Sequence, residues 1–131
     1  MELRELELTN FRQFEQGVIE FARETETGVT VINGANGSGK TTLLSAFTWL
    51  FYDEVGFDTR PDRLVNEGVI ARGNVGETVP VAVRLMFAHE GIEYVAERRA
   101  VYEKRTATDF DGELVDMGLT VKYRNGGTWT E

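Results

Sequence analysis

The stretch VTVINGANGSGKTT, residues 29–42, decides the fold of this chain. Its first four residues are all β-branched, which is typical of a strand buried on both faces. From Lys40 onward, apolar residues recur at spacings of three and four, which predicts a helix. The predicted apolar stripe of that helix consists of Leu43, Leu44, Phe47, Leu50 and Phe51. A strand, a glycine-rich loop and a helix are therefore expected in direct succession.

The loop itself, GANGSGKT at residues 34–41, matches the pattern G-x-x-x-x-G-K-[ST]. Its glycines allow backbone conformations closed to other residues, so consecutive N–H groups can approach phosphate oxygens. The helix that begins near Lys40 adds the positive end of its dipole. A glycine-rich turn that merely precedes a helix is the alternative, but it does not require all the fixed positions. The loop predicts a cradle for the phosphates of a nucleoside triphosphate.

Each side chain of this loop has an expected role. Lys40 is expected to reach the terminal phosphates, and the Thr41 hydroxyl to complete the coordination of Mg²⁺ held by the same phosphates. Thr42 adds a hydroxyl near the α-phosphate. The nucleotide-binding residues predicted here are Asn36, Gly37, Ser38, Gly39, Lys40, Thr41 and Thr42, with Thr41 as the metal ligand.

Hydrolysis needs acidic residues in addition to a phosphate cradle, one to hold Mg²⁺ and one to orient water. Asp53 and Glu54 follow an apolar run, but this run continues the predicted helix. At about 1.5 Å per residue, Asp53 lies about 20 Å from Lys40, so we interpret the pair as a polar helix end. No other segment has four apolar residues before an acid pair. We predict no catalytic residue in this chain, which then holds half of a shared active site.

The remaining strands are predicted from alternating or short apolar runs at residues 3–9, 17–21, 79–87 and 92–102. Residues 10–14 form a polar and aromatic turn, and a turn at 89–91 joins the last two strands into a β-hairpin. A turn at 109–112 and a final hairpin around Asn125-Gly126-Gly127 follow. Residues 53–76 show no clear period and predict a long irregular connection.

The bulk composition bounds the class of protein. A chain of 131 residues is long enough for one domain with its own core. Because the chain has no cysteine, disulfides and thiol chemistry are excluded. No apolar stretch approaches the roughly 18–20 residues that span a bilayer, and the N-terminus does not have the layout of a signal peptide. A cytoplasmic protein without membrane contact is expected.

The net charge of −8, from 22 acidic and 14 basic residues, argues against a broad nucleic-acid face. A Glu-rich, Lys-poor surface also suits concentrated salt, in which charge repulsion is screened. We therefore hypothesise a halophilic source. One local basic stretch, Arg98, Arg99, Lys104 and Arg105, either contacts DNA or is a solvated strand edge.

The order of these features resembles a known family. A strand, Asn10-Phe11-Arg12, a second strand, Asn36-Gly37-Ser38-Gly39-Lys40 and a helix follow one another within the first 50 residues. This arrangement resembles the N-terminal lobe of the SMC-like ABC ATPases, most closely the Rad-fifty type of double-strand-break repair ATPase. The ATPase of the Dnd DNA sulfur-modification system and the RecF and RecN families are near relatives. With the later hairpin, the resemblance spans residues 1–131.

The resemblance implies a fold and further site residues. The fold is an α/β (mixed α+β) P-loop lobe with a mixed β-sheet, one main helix after the loop, and β-hairpins. Arg12 is expected beside the phosphates of ATP, and both Arg12 and the adjacent Gln13 are expected to contact the nucleotide. A solvated turn arginine is the alternative for Arg12. The segment Val65-Asn66-Glu67 is expected near the base, which adds Asn66 to the nucleotide-binding residues.

For the complete molecule, the resemblance implies that ATP drives head-to-head homodimerisation around DNA, usually with a nuclease partner. The motifs that complete the active site in this family belong to a C-terminal lobe, and none of them occurs in residues 1–131. The expected function is therefore an N-terminal lobe that binds ATP and Mg²⁺ but does not hydrolyse ATP alone.

Two alternatives stay open. The first is a small self-sufficient P-loop phosphotransferase, with Arg60, Arg63 or Arg72 in a lid. The second is a domain that docks a protein partner through its β-hairpins without turnover.

Overall fold

A computed structural model describes residues 2–12, 14–21, 38–53, 64–107 and 113–131. Seven elements follow one another in these ranges: β1 (Glu2–Phe11), β2 (Phe14–Glu20), α1 (Ser38–Tyr52), α2 (Glu67–Arg72), β3 (Thr78–His89), β4 (Ile92–Glu103) and β5 (Glu113–Arg124). Outside the described residues lie the predicted strand at 29–32, the loop at 34–37, the turn at 109–112 and Gln13.

The five strands form one sheet in the order β2-β1-β3-β4-β5. Each neighbouring pair is antiparallel. The resemblance implied a mixed sheet, whereas every pair among the described strands is antiparallel, and the predicted strand at 29–32 lies outside the described residues. Two of the four pairs, β1–β2 and β3–β4, join strands that are two residues apart in the chain, and so short a connection allows only an antiparallel pair.

The hairpin of β3 and β4 confirms the predicted hairpin and sharpens its turn. His89 pairs with Ile92, so the loop consists of Glu90 and Gly91 alone. Both loop residues have positive φ, at 51° and 80°, which is the geometry of a type I′ turn. Gly91 accepts this conformation without a Cβ clash, and His89 belongs to the strand.

Helix α1 packs on the sheet through a face that the sequence predicted only in part. Ala46, Trp49 and Leu50 are buried, whereas Leu44 and Phe51 are 68% and 40% exposed. The predicted stripe is therefore wrong at these last two positions. The end of this helix is apolar around much of its circumference, so the period alone does not select a face. The buried face is the one that carries Trp49, whose ring packs on Phe11 with 5.7 Å between ring centroids.

The core lies between α1 and one face of the sheet. Strands β1, β3 and β4 contribute its fully or nearly fully buried side chains: Leu6, Leu8, Phe11, Val79, Val81, Val83, Leu85, Ala96, Ala100 and Tyr102. Each large aliphatic side chain buried in this way contributes about 1.5–3 kcal/mol relative to exposure. The core thereby fixes α1 against the centre of the sheet.

Helix α2 lies within the segment predicted as an irregular connection, and so corrects that prediction. Asn66 is its N-cap, and its side-chain oxygen accepts a hydrogen bond from the Val69 N–H at 3.1 Å. With six residues, α2 is too short to produce a recognisable period. Neither helix in the described ranges combines the length and apolar character needed to cross a membrane.

Candidate functional site

The first turn of α1 contains the residues that the glycine-loop pattern singled out. The predicted helix is present and begins at Ser38, two residues before the predicted start near Lys40, so the backbone of residues 38–42 is helical. Its first N–H groups have no intrahelical acceptor, and its first turn carries no acidic residue. Such a helix start suits an anion. Contacts of Ser38, Gly39, Lys40, Thr41 and Thr42 with phosphate stay predictions, and Asn36 and Gly37 lie outside the described residues.

The end of β1 has an unusual backbone. Asn10 and Arg12 both have positive φ, at 49° and 52°, although neither is glycine. Non-glycine residues in this region are uncommon and often mark functional sites. Phe11 between them is fully buried against Trp49 of α1. The Asn10 side chain donates a hydrogen bond to the Pro80 carbonyl at 2.8 Å, which ties this bend to β3.

Residues 64–66 hold this bend from the other side, and we call residues 10–12 and 64–66 together the clasp. The Arg12 N–H donates to the Leu64 carbonyl at 2.6 Å, and the Asn66 N–H donates to the Asn10 carbonyl at 2.8 Å. Phe11 and Val65 form an isolated antiparallel bridge between them. The clasp brings together Arg12 and Asn66, which the sequence predicted as members of one site.

The Arg12 side chain ends in a buried atom with unmet hydrogen-bonding capacity. Its Nη1 is inaccessible to solvent and has no hydrogen-bond partner in the described part of the chain. Leaving a buried donor unmet costs about 1–3 kcal/mol, and more for a charged group. A phosphate oxygen would satisfy this guanidinium, because arginine donors match phosphate geometry. The arrangement fits a bound polyphosphate better than it fits a solvated turn arginine.

The Asn66 amide makes two structural hydrogen bonds. Its Nδ2 donates to the Arg12 carbonyl at 2.8 Å, while its Oδ1 caps α2. The structure thus places Asn66 beside Arg12 and gives it a role inside the protein. Its contact with a nucleotide base stays a prediction.

The local basic stretch has a structural role that the sequence did not predict. Arg98 is 9% exposed, and its Nε donates to the Leu50 carbonyl near the end of α1 at 3.2 Å. Lys104 is 4% exposed, and its Nζ donates to the carbonyls of Ala71 and Gly73 at the end of α2, both at 2.9 Å. Cations at helix C-termini satisfy the last carbonyls and the dipole. The sequence left two interpretations of this basic stretch, a contact with DNA and a solvated strand edge. Neither interpretation fits Arg98 and Lys104, because both side chains are buried.

The sequence contained a usable signal for Arg98. Arg98 falls at a core-facing position of β4, in step with Ala96, Ala100 and Tyr102. A cation at an inward position needs a buried acceptor, and helix ends supply one. The other two members of the stretch are more exposed: Arg99 pairs with Glu97, and Arg105 pairs with Glu103 and Glu113.

Two further predictions can be compared with the structure. Asp53 follows α1 with φ of 55° and donates its N–H to the Trp49 carbonyl at 3.0 Å, which confirms the polar helix end. Of the three arginines assigned to a phosphotransferase lid, Arg60 and Arg63 lie outside the described residues. Arg72 lies in α2 and pairs with Glu15 of β2 at 2.6 Å.

Comparison with known proteins gives the class. A family model described as an AAA domain matches residues 5–125. A solved structure from work on ATP-driven dimerization and DNA-stimulated activation of SMC ATPases aligns with 100% of this chain and 73% of that chain. Its TM-score is 0.57 at 23% sequence identity, so it shows that the two chains share a fold.

Individual relatives have the name DNA double-strand break repair Rad50 ATPase. That of Halobacterium salinarum is 33% identical over 99 residues, which are 76% of this chain and 10% of the relative. That of Methanosarcina acetivorans is 33% identical over 107 residues, or 81% and 9%. That of Archaeoglobus fulgidus is 30% identical over 98 residues, or 75% and 10%.

The chain belongs to the AAA-domain family, as an SMC-like N-terminal ATPase lobe of the Rad50 type. The resemblance drawn from the sequence is thereby confirmed. The chain spans about a tenth of the length of the Rad50 relatives that it matches.

Proposed function

We propose that this chain is the ATP-binding lobe of a DNA double-strand-break repair ATPase. It holds ATP and Mg²⁺ through the Walker A loop at residues 34–41, and it depends on a C-terminal lobe and on head dimerisation for hydrolysis. The observation that carries the proposal is the buried, unsatisfied Nη1 of Arg12, in the part of the chain that the structure describes.

Three features support a polyphosphate as the ligand. The start of α1 has N–H groups without an intrahelical acceptor and no acidic side chain in its first turn. Arg12 has a buried guanidinium nitrogen that an oxyanion would satisfy. Packing of Phe11 on Trp49 fixes the residue before Arg12 against the same helix. Backbone donors and a cationic side chain are the usual partners of a nucleotide's phosphates.

Each side chain of the site then binds a different part of the nucleotide. Lys40 binds the terminal phosphates, Arg12 and Gln13 lie beside them, and the hydroxyls of Thr41 and Thr42 approach the metal and the α-phosphate. The backbone from Asn36 to Gly39 donates to phosphate oxygens. Bound Mg²⁺ neutralises phosphate charge and is held by Thr41. These contacts bind and orient ATP without cleaving it.

We base the proposed partners on the resemblance to SMC-like ATPases and on the half-site. The proposed partners are a C-terminal ATPase lobe, a second head in a head-to-head homodimer, a nuclease, and DNA bound by the complete complex. The Rad50 name of the relatives supports the repair role.

The test is calorimetric titration of the chain with ATP and Mg²⁺. Lys40→Ala is expected to weaken binding about tenfold or more, because it removes a charged contact with the terminal phosphates. Lys122→Ala on the exposed strand β5 is the matched control and is expected to bind like the wild type. Equal binding by wild type and Lys40→Ala would contradict the assignment of the loop.

The same titration distinguishes the alternatives. Steady ATP turnover by the chain alone would favour a self-sufficient phosphotransferase. If the chain binds no nucleotide, the remaining alternative is a domain that docks a protein partner. Strand β5 offers a surface for such docking. Its apolar side chains Val115, Met117, Leu119 and Val121 are 38–48% exposed.

A further inference from the structure

We infer that Asn66 is a positioning residue, which acts on the nucleotide through Arg12 and makes no contact with the base. The inference rests on the proposed function, since it concerns how the same phosphate site is built. Its basis is the pair of hydrogen bonds that join one amide to two different elements.

The backbone of Arg12 is held entirely by the segment that ends in Asn66. The Arg12 N–H donates to the Leu64 carbonyl, and the Arg12 carbonyl accepts from the Asn66 side chain. Both polar backbone groups of this one residue are therefore bonded to residues 64–66. Because φ of Arg12 is 52°, a conformation that L-residues rarely adopt, these bonds are what keep it in place.

The conformation at Arg12 sets the direction of its side chain. A change of φ to the usual negative range rotates the Cα–Cβ bond and carries the guanidinium out of its present position. In that position Nη1 is buried without a hydrogen-bond partner among the described residues. The Asn66 bond to the Arg12 carbonyl thus keeps the cation preorganised for an anion, which lowers the ordering cost of binding.

Asparagine is the residue type that this position requires. Its carbonyl oxygen accepts from the Val69 N–H to cap α2, and its NH₂ group donates to Arg12. An amide supplies an acceptor and a donor that point in different directions. Serine and aspartate are equally good N-caps, but an ionised aspartate has no donor and a serine hydroxyl is too short to reach both partners. These two substitutions remove the bond to Arg12 while the cap remains.

The experiment titrates the full chain with two ligands, ATP with Mg²⁺ and inorganic tripolyphosphate with Mg²⁺. Asn66→Ser is expected to weaken binding of both by the same factor, about fivefold to tenfold, as for loss of one charge-assisted contact. Tripolyphosphate has no base, so an equal loss assigns the effect to the phosphate site. A loss confined to ATP would show that Asn66 contacts the nucleoside, and would overturn the inference.

A double-mutant cycle measures whether Asn66 and Arg12 act together on the affinity for tripolyphosphate. A role of Asn66 in folding alone would not produce such coupling. In the Arg12→Ala background, Asn66→Ser is expected to change the affinity for tripolyphosphate by less than about twofold, because the group that it positions is gone. Losses that add in full would overturn the inference. Asn74→Ser is the matched control, since within the described ranges the side-chain amide of Asn74 pairs with exposed Glu77, three residues along the chain, and not with the clasp.

Asn66→Asp is carried through the same titrations, with thermal melting of every variant. If Asn66→Ser does not fold, the Asp variant gives the answer. Wild-type chain that binds neither ligand, or Lys40→Ala that binds both normally, overturns the proposed function and this inference together. Loss of binding in Lys40→Ala with normal binding in both Asn66 variants overturns the inference alone.

Discussion

Strands β3 and β5 have the same length and the same alternation but opposite surroundings. Each has 12 residues. In β3, Val81, Val83 and Leu85 are completely buried. In β5, Met117, Leu119 and Val121 are 38–48% exposed. The register places these β5 side chains on the core face of the sheet, opposite Ala100, Arg98 and Ala96 of β4. The core face therefore extends beyond the part that α1 covers, since α1 packs on β3 and β4.

The difference shows what alternation does and does not determine. A period of two assigns side chains to one face of a sheet, but the element above that face decides whether they lose contact with water. Equivalent leucines in the two strands should therefore differ widely in their contribution to stability. Four measurements examine that contrast, beginning with the largest expected effect.

Leu85→Ala is expected to lower the free energy of unfolding by about 3–4 kcal/mol, because it leaves a cavity in a fully buried site. Leu119→Ala, the matched substitution in β5, is expected to cost about 0.5 kcal/mol or less. Urea denaturation of both variants measures the difference. Similar losses in the two variants would mean that β5 is covered in solution.

Lys104→Met is expected to cost about 2 kcal/mol, since two partly buried carbonyls at the end of α2 lose a charged donor while the aliphatic stem is kept. Arg99→Met is the control on the neighbouring strand, because its 61% exposed side chain makes a surface ion pair worth about 0–1 kcal/mol. The same denaturation assay applies. Equal effects would refute the helix-end role of Lys104.

Ser45→Ala is expected to raise stability by about 0.5–1 kcal/mol. The Ser45 hydroxyl is buried without a hydrogen-bond partner in the described ranges. Alanine removes that cost and has a higher helix propensity. Leu44→Ala on the exposed side of the same helix serves as control and should stay within about 0.5 kcal/mol of wild type. Destabilisation by Ser45→Ala would show that this hydroxyl has a partner.

Molar KCl is expected to have the smallest effect, a rise in melting temperature of a few degrees over dilute buffer. A net charge of −8 creates repulsion that salt screens, and salt also strengthens apolar burial. Scanning calorimetry at several KCl concentrations measures the shift. A melting temperature that does not rise would count against the halophilic hypothesis.

Local patterns were sufficient to predict much of this fold. The alternation in residues 79–102 predicted the β3–β4 hairpin, and the spacing after Lys40 predicted α1. The glycine loop and Asn10-Phe11-Arg12 predicted the family, which the comparisons confirm. Each of these signals lies within one short segment, where period and residue type act directly.

The features that escaped prediction depend on segments distant in the chain. The exposure of Leu44 and Phe51 follows from where Trp49 meets Phe11. Arg98 and Lys104 resembled a nucleic-acid patch because their acceptors are carbonyls of helices about 30 to 50 residues away. The sequence grouped Arg12 with Asn66 only through family resemblance, whereas the structure gives the hydrogen bonds that join them.

The position of β1 between β2 and β3 has a consequence for how the chain folds. Leu6 pairs with Leu85, about 80 residues away, whereas β3 and β4 pair across a two-residue turn. Closing the long loop is slow because its entropy must be lost before contacts compensate. We therefore expect β3 and β4 to be formed in the folding transition state, and β1 to dock afterwards with β2. Substitutions in β1 should then speed unfolding more than they slow folding, whereas substitutions near the Glu90-Gly91 turn should slow folding.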